Sequence, residues 1–196
     1  MTISGKLDPI RAPSGARPER NLYLVGFMAT GKSTLGRMMA ARLDFAFLDS
    51  DAEIERLRGK TVRQLFEEEG EEAFRRHERD FVLTGHPARR CVVACGGGLI
   101  AQPGMVDILK EKGVVVCLYA SPETVMERTR TNRNRPLLDC EDPERRIREL
   151  MAEREPLYRK AGSLVLTDNR SRCDVLAHIH RIYLRECRAL DKRDPK

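Results

Sequence analysis

The sequence predicts an α/β fold, a doubly wound sheet of five parallel strands flanked by helices. Three observations carry this expectation. Five short runs, at residues 22–26, 45–49, 91–96, 114–119 and 164–167, are apolar at nearly every position, as strands buried on both faces must be. Stretches with helical spacing separate them, and strands alternating with helices close into parallel sheets through right-handed crossovers. A glycine-rich turn joins the first run to the first helical stretch, at the sheet edge where open α/β folds bind ligands.

Residues 1–20 carry three Pro, two Gly and six charges without periodicity, and are expected to form a flexible extension. A single domain is expected over residues 21–189, with a loose tail over 190–196. After the first strand, residues 32–43 place Leu35, Met38, Met39 and Leu43 on one helical stripe. The second strand leads into a helix at 52–58. Thr61 with Gln64 reads as a capping box that starts a short helix ending at Gly70, and a further helix follows over 71–83. Helices are also expected over 122–130, 143–153 and 173–187, the sixth of these helical segments stopping ahead of Pro156.

The composition is that of an ordinary globular chain: 196 residues, 41% hydrophobic and 34% charged, with no Trp. It excludes collagen-like chains, disulfide scaffolds and wholesale disorder. No apolar run approaches the ~20 residues of a membrane-spanning helix. The N-terminus lacks the apolar core of a secretory signal, so a cytoplasmic protein without membrane partners is expected. Six Cys form no CxxC pair and no zinc-type spacing with the four His, so free thiols are expected. The net charge of +6 suits nucleic acid or a pocket for small anions, and composition alone does not separate them.

Motifs narrow the choice. Gly26-Phe-Met-Ala-Thr-Gly31-Lys32-Ser33 matches GxxxxGK[ST] between a strand and a helix. Its backbone amides and the following helix N-terminus suit a nucleotide triphosphate, with Lys32 reaching the β- and γ-phosphates and Ser33 on Mg²⁺. Asp49 and Asp51 end the second strand. One is expected near Mg²⁺ and the other at the acceptor, although Asp51 also suits a helix cap for 52–58.

Cations and glycines supply the rest. Arg75 and Arg76 follow Glu71 and Glu72 at (i, i+4), which suits surface ion pairs as well as a binding role. Gly96, Gly97 and Gly98 end the third strand and allow a ligand close to the backbone. Residues 127–136 are rich in cations and read as a mobile loop able to fold over phosphates, with Arg135 beside Pro136 facing the transferring charge. Arg154 stands near Pro156, aimed inward or serving as a last-turn cation.

Taken in order, these segments resemble the shikimate kinases. The resemblance rests on GFMATGKST, Asp49-x-Asp51 followed by Ala-Glu-Ile-Glu, TVRQLF at 61–66, and Glu69-Gly-Glu-x-x-Phe-Arg75. Gly96-Gly-Gly98, Arg135-Pro-Leu-Leu138 and Arg154-x-Pro-Leu-Tyr158 complete it. It implies the small P-loop kinase architecture of the nucleoside monophosphate kinase type, with a mobile lid. The implied reaction transfers the ATP γ-phosphoryl group to the 3-hydroxyl of shikimate in aromatic amino-acid synthesis. Lys32, Asp51 and Arg135 would be catalytic. Ala29, Thr30, Gly31, Lys32, Ser33, Thr34, Arg128 and Arg135 would bind ATP, and Ser33 and Asp49 would hold Mg²⁺. Asp51, Arg75, Gly96, Gly97, Gly98 and Arg154 would bind shikimate. The protein would act as a monomer on small molecules and not on nucleic acid. Ala29 stands where the family often has Gly and is expected to narrow the loop slightly; Arg130 and Arg133 are extra cations without an assigned role.

Overall fold

Alternating side chains of the first strand sort the core into two layers. In β1 (Asn21–Gly26), Leu22 and Leu24 point to one face of the sheet while Tyr23 and Val25 point to the other, all fully buried. The computed structural model describes residues 18–130 and 136–193. On the Leu22 face, α1 (Lys32–Leu43) and α7 (Arg172–Arg193) cover the sheet through Leu35, Met39, Ile179 and Tyr183. The Tyr23 face is covered by α3 (Val62–Thr84), α4 (Met105–Lys112), α5 (Pro122–Thr129) and α6 (Pro143–Ala161).

The sheet contains β1, β2 (Ala46–Asp49), β3 (Cys91–Ala94), β4 (Gly113–Tyr119) and β5 (Ser163–Leu166), all parallel in the order β2-β3-β1-β4-β5. This is the expected five-stranded doubly wound sheet. β1, β3 and β4 in the middle are buried almost throughout, but the edge strands β2 and β5 are only partly covered. The expectation that every strand is buried on both faces therefore fails at the two edges, which have a neighbour on one side only.

Several boundaries differ from the sequence reading. One expected boundary is kept: Gly70, with φ 81° and ψ 169°, is non-helical and divides α3 into the two helices expected on either side of it. α4 was missed; Gly104 starts it, and Met105 and Leu109 bury the same face one turn apart. α6 does not stop before Pro156 but runs through it to Ala161. A mid-helix proline removes one hydrogen bond, a cost offset here by buried Met151, Tyr158 and Ala161 on either side. α7 continues to Arg193, so the tail expected from residue 190 is helical to that point. Residues 18–20, assigned to the extension, are tied to the domain: Glu19 accepts from the Arg90 amide at 2.8 Å and Arg20 from Tyr183 Oη at 2.7 Å.

The turn after β1 is closely constrained. Gly26 has φ 135°, and a Cβ there would collide with the Leu118 carbonyl of β4. Gly31 has φ 92°, and Ala29 occupies the left-handed region at φ 59°. What Ala29 alters is thus its own backbone energy, because an L-residue with a Cβ is strained there by about 1–2 kcal/mol. Ala29→Gly should relieve this strain against a smaller entropic cost, stabilising by about 0.5–1 kcal/mol and raising Tm by about 1–3 °C. An unchanged or lower Tm in calorimetry would contradict it.

Candidate active site

The phosphate loop ends in an uncapped helix. Gly31 is the N-cap of α1 and supplies no side-chain bond to the first-turn amides, and the first turn holds no acidic residue. Those amides and the helix dipole suit an anion. Lys32 lies back across the loop, its Nζ donating to the carbonyls of Gly26 at 2.9 Å and Phe27 at 2.7 Å. Buried Thr30 also donates to Phe27 O, at 2.9 Å, which fixes the loop from inside.

Ser33 and Asp49 meet where α1 begins and β2 ends: Ser33 Oγ donates to Asp49 Oδ2 at 2.5 Å. Asp49 Oδ1 accepts from the Asp51 amide at 3.2 Å and is the N-cap of α2 (Ser50–Arg58). The helix begins earlier than expected and Asp49, not Asp51, caps it. Asp51 is therefore released from capping and lines the cavity. Burial, followed by the neighbouring Asp49 charge, pushes its carboxyl above the ordinary range, while Lys32 opposes the shift. Ser50 links the two strands, accepting from the Gly96 amide at 2.8 Å and donating to Asp51 Oδ1 at 3.2 Å.

The other side of the site is built around the glycines after β3. Arg75 donates to Glu78 Oε2 and to Glu71 Oε1, both at 2.7 Å, so the surface pair and an inward contact coexist. Its guanidinium stands 5.9 Å from the Phe66 ring centre and 5.8 Å from that of Phe74. Glu78 is 1% exposed. Burial raises its pKa to about 7 despite the contact with Arg75, so here desolvation outweighs the ion pair. A Cβ at Gly96 would run into both Glu78 Oε1 and Asp51 Oδ1, and one at Gly98 would lie 2.5 Å from the Arg75 guanidinium nitrogens. Across the cavity Arg154, 5% exposed, donates to Gly97 O at 3.3 Å beside Tyr158 Oη, which reaches the same oxygen at 2.9 Å. The Nε of Arg154 has no partner among the described residues.

At the other end Arg128 donates to Ala29 O at 3.1 Å, Thr167 Oγ1 at 3.3 Å and Thr167 O at 3.3 Å, fastening α5 to the phosphate loop. A cavity of about 780 Å³ joins the parts: Ala29, Thr30, Gly31, Lys32, Ser33, Thr34, Asp49, Asp51, Arg75, the three glycines, Arg128 and Arg154 all line it. Arg76 is left outside, paired with Glu72 at 3.0 Å in a highly exposed contact of the kind worth little. Among the described residues the Arg130 side chain pairs with Glu144, at 4.0 Å. Arg133 and Arg135 lie outside the described residues. The sequence reading gave no role to Glu78, Ser50 or Tyr158, nor to Arg170, which also lines the cavity. The signal for Glu78 was its place three residues after Arg75 on one helix face.

No group of three or more His, Cys, Asp or Glu suited to a metal occurs among the described residues. Magnesium needs less from the protein, since one or two oxygen ligands suffice where substrate phosphates and water complete the shell. The hydroxyl of Ser33 and the carboxylate of Asp49, already in contact beside the phosphate loop, fit that requirement.

Comparison with known proteins agrees with the fold. The family model described as shikimate kinase matches residues 28–183. The chain belongs to the shikimate kinase family. It is 39% identical to the shikimate kinase of Caldanaerobacter subterraneus subsp. tengcongensis, over 85% of this chain and 97% of that one. It is 46% identical to that of Acinetobacter baylyi, over 80% and 87%. The structure of shikimate kinase from Acinetobacter baumannii in complex with shikimate superposes with a TM-score of 0.81 at 40% identity, covering 87% of this chain and 96% of that one. A gluconokinase from Sinorhizobium meliloti shares the fold alone, with a TM-score of 0.62 at 15% identity, over 91% and 99% of the two chains.

The buried Glu78 generates a pH prediction. Its folded pKa lies above the usual 4.5, at about 7, so the folded state takes up more protons and stability attributable to Glu78 declines as pH rises across that interval. Glu78→Gln mimics the protonated form. Its Tm relative to the unsubstituted protein should be higher at pH 8 than at pH 4.5, measured without substrate. A Tm difference that is flat with pH would mean that folding leaves the Glu78 pKa unshifted.

Proposed function

We propose that the cavity seats shikimate between Arg75 and Arg154, with its reacting hydroxyl at Asp51 and ATP in the phosphate loop. The activity is ATP-dependent phosphorylation of shikimate at its 3-hydroxyl, giving shikimate 3-phosphate and ADP on the route to chorismate and the aromatic amino acids. The roles of individual residues follow from charge and placement. The observation that carries them is the convergence of two guanidinium groups and two carboxylates on Gly96, Gly97 and Gly98 beside the phosphate loop.

Arg75 and Arg154 enter from helices on different sides of the glycines and suit a carboxylate, which a guanidinium fork grips with directional bonds. Arg154 is almost fully buried, and its Nε has no partner among the described residues, a donor that an anion can use. Asp51 orients the attacking hydroxyl and accepts its proton; its raised pKa brings it closer to the range in which a base works at neutral pH. Gly31, Thr34 and the first amides of α1 hold the phosphates, and Lys32 exchanges its carbonyl contacts for them. Arg128 borders the nucleoside end. Arg135 is proposed to close over the phosphates from the lid.

Ser33 and Asp49 would hold Mg²⁺. The ion, when bound, neutralises phosphate charge and favours the in-line geometry. Positioning and charge stabilisation together account for the catalysis this site offers. We place the enzyme in the cytoplasm as a monomer acting on small molecules. Its basic residues alternate with acids, and no row of stacking aromatics accompanies them. Among the described residues no helix is long and apolar enough to cross a membrane.

Coupled ADP release with and without shikimate, alongside gluconate and related hydroxy acids, tests the reading; turnover should require shikimate. Lys32→Ala and Asp51→Asn should each lower kcat by at least ~100-fold. Arg154→Lys should raise the KM for shikimate about tenfold, since it keeps the charge and loses the fork. Near-normal kcat in either of the first two, or an unchanged KM in the third, would remove that residue from its role.

A further inference from the structure

We propose that Gln102 is a positioning residue for the acid substrate: its amide holds Glu78 so that one carboxylate oxygen stays beside Asp51 as a second acceptor for a substrate hydroxyl. This rests on shikimate occupying the cavity as described above.

The two oxygens of Glu78 are in unlike surroundings. Oε2 receives both donors, Arg75 Nη1 at 2.7 Å and Gln102 Nε2 at 3.0 Å. Oε1 is buried and has no hydrogen-bond partner among the described residues. It lies on the Gly96 side, where Asp51 Oδ1 converges on the same space. A buried carboxylate oxygen without a donor is costly, and a ring hydroxyl from a polyhydroxylated acid removes that cost on binding.

Arg75 alone does not enforce this division. The terminal torsion of a glutamate is broad and roughly two-fold, and a guanidinium readily takes both oxygens of a carboxylate. Such a pairing would draw Oε1 away from Gly96 and Asp51 and commit the Arg75 fork to Glu78 instead of the substrate. The donor from Gln102 approaches from another element and biases the carboxylate toward the observed rotamer.

Gln102 is itself firmly placed. It closes the 3-10 turn Leu99–Ala101, its amide donating to Leu99 O at 3.2 Å and its carbonyl accepting from the Met105 amide at 3.2 Å. Pro103 follows, which restricts Gln102 to the extended conformation it adopts, φ −77° and ψ 136°. The turn begins right after Gly98, so the glycines that shape the pocket and the residue that orients Glu78 share one short segment.

The charged and titratable groups facing Glu78 are Arg75 on its own helix, Asp51 on α2 and the Cys95 thiol at the end of β3. The Gln102 donor favours the ionised carboxylate, so removing it shifts Glu78 further toward its protonated form.

Steady-state kinetics of Gln102→Leu, which keeps the bulk and removes the donor, test the proposal. The KM for shikimate should rise about tenfold, as for a lost bond to a charged group, with the KM for ATP unchanged. The acid limb of kcat/KM for shikimate should move to higher pH. Gln102→Asn, whose shorter amide falls short of Glu78, should shift both quantities in the same direction and decides the matter if the leucine variant does not fold. A shikimate KM within twofold of the parent with an unmoved acid limb overturns the proposal. So does a joint rise of both KM values with a lowered Tm, which would mark Gln102 as structural. Failure of the unsubstituted protein to turn over shikimate would instead refute the substrate placement.

Discussion

The site depends on what is missing from three consecutive residues. Asp51 and Glu78 crowd the position a side chain would take at Gly96, and the Arg75 guanidinium crowds that of Gly98. Between them the carbonyl of Gly97 receives Arg154 and Tyr158 from the far side. One bare segment of main chain thus lets four charged groups from α2, α3 and α6 approach a common centre. Any side chain at Gly96 or Gly98 would force those groups apart.

The charges in that centre are held in tension. Burial acts against ionisation of Asp51 and Glu78, and the cations Lys32 and Arg75 act for it. The outcome favours desolvation in both, which holds each carboxyl above the ordinary carboxylate range. A substrate that brings one anionic group to the arginines and several hydroxyls to the carboxylates resolves both imbalances together. A simple carboxylate would satisfy only half of the site.

The helix termini show a parallel division of labour. α2, α3, α5 and α6 begin with side-chain caps, from Asp49, Thr61, Ser121 and Asp142. α1 begins at Gly31 with none, and its amides border the cavity. α4 likewise starts at a glycine, Gly104, without a side-chain cap, but carries Asp107 in its first turn, whereas the helix after the phosphate loop has neither and suits an anion. Arg128 then ties this loop to the end of β5, which couples the nucleotide end of the cavity to the sheet.

Local patterning determined the parallel α/β sheet, the phosphate loop with Lys32 and Ser33, and the carboxylates Asp49 and Asp51 at the end of β2, because strand hydrophobicity, glycine spacing and motif order are written in neighbouring positions; it left Arg75 and Arg76 equivalent. The capping box at Thr61 and the break at Gly70 were legible for the same reason. Tertiary structure decided that Asp49 caps α2 and frees Asp51, that α6 passes through Pro156 to bring Arg154 onto Gly97, and that Glu78 is a buried acid. In sequence Glu78 is one more charge on an acidic and basic helix. Its meaning comes from Gly96 and Gln102, which are distant along the chain, and burial is a property of such distant contacts.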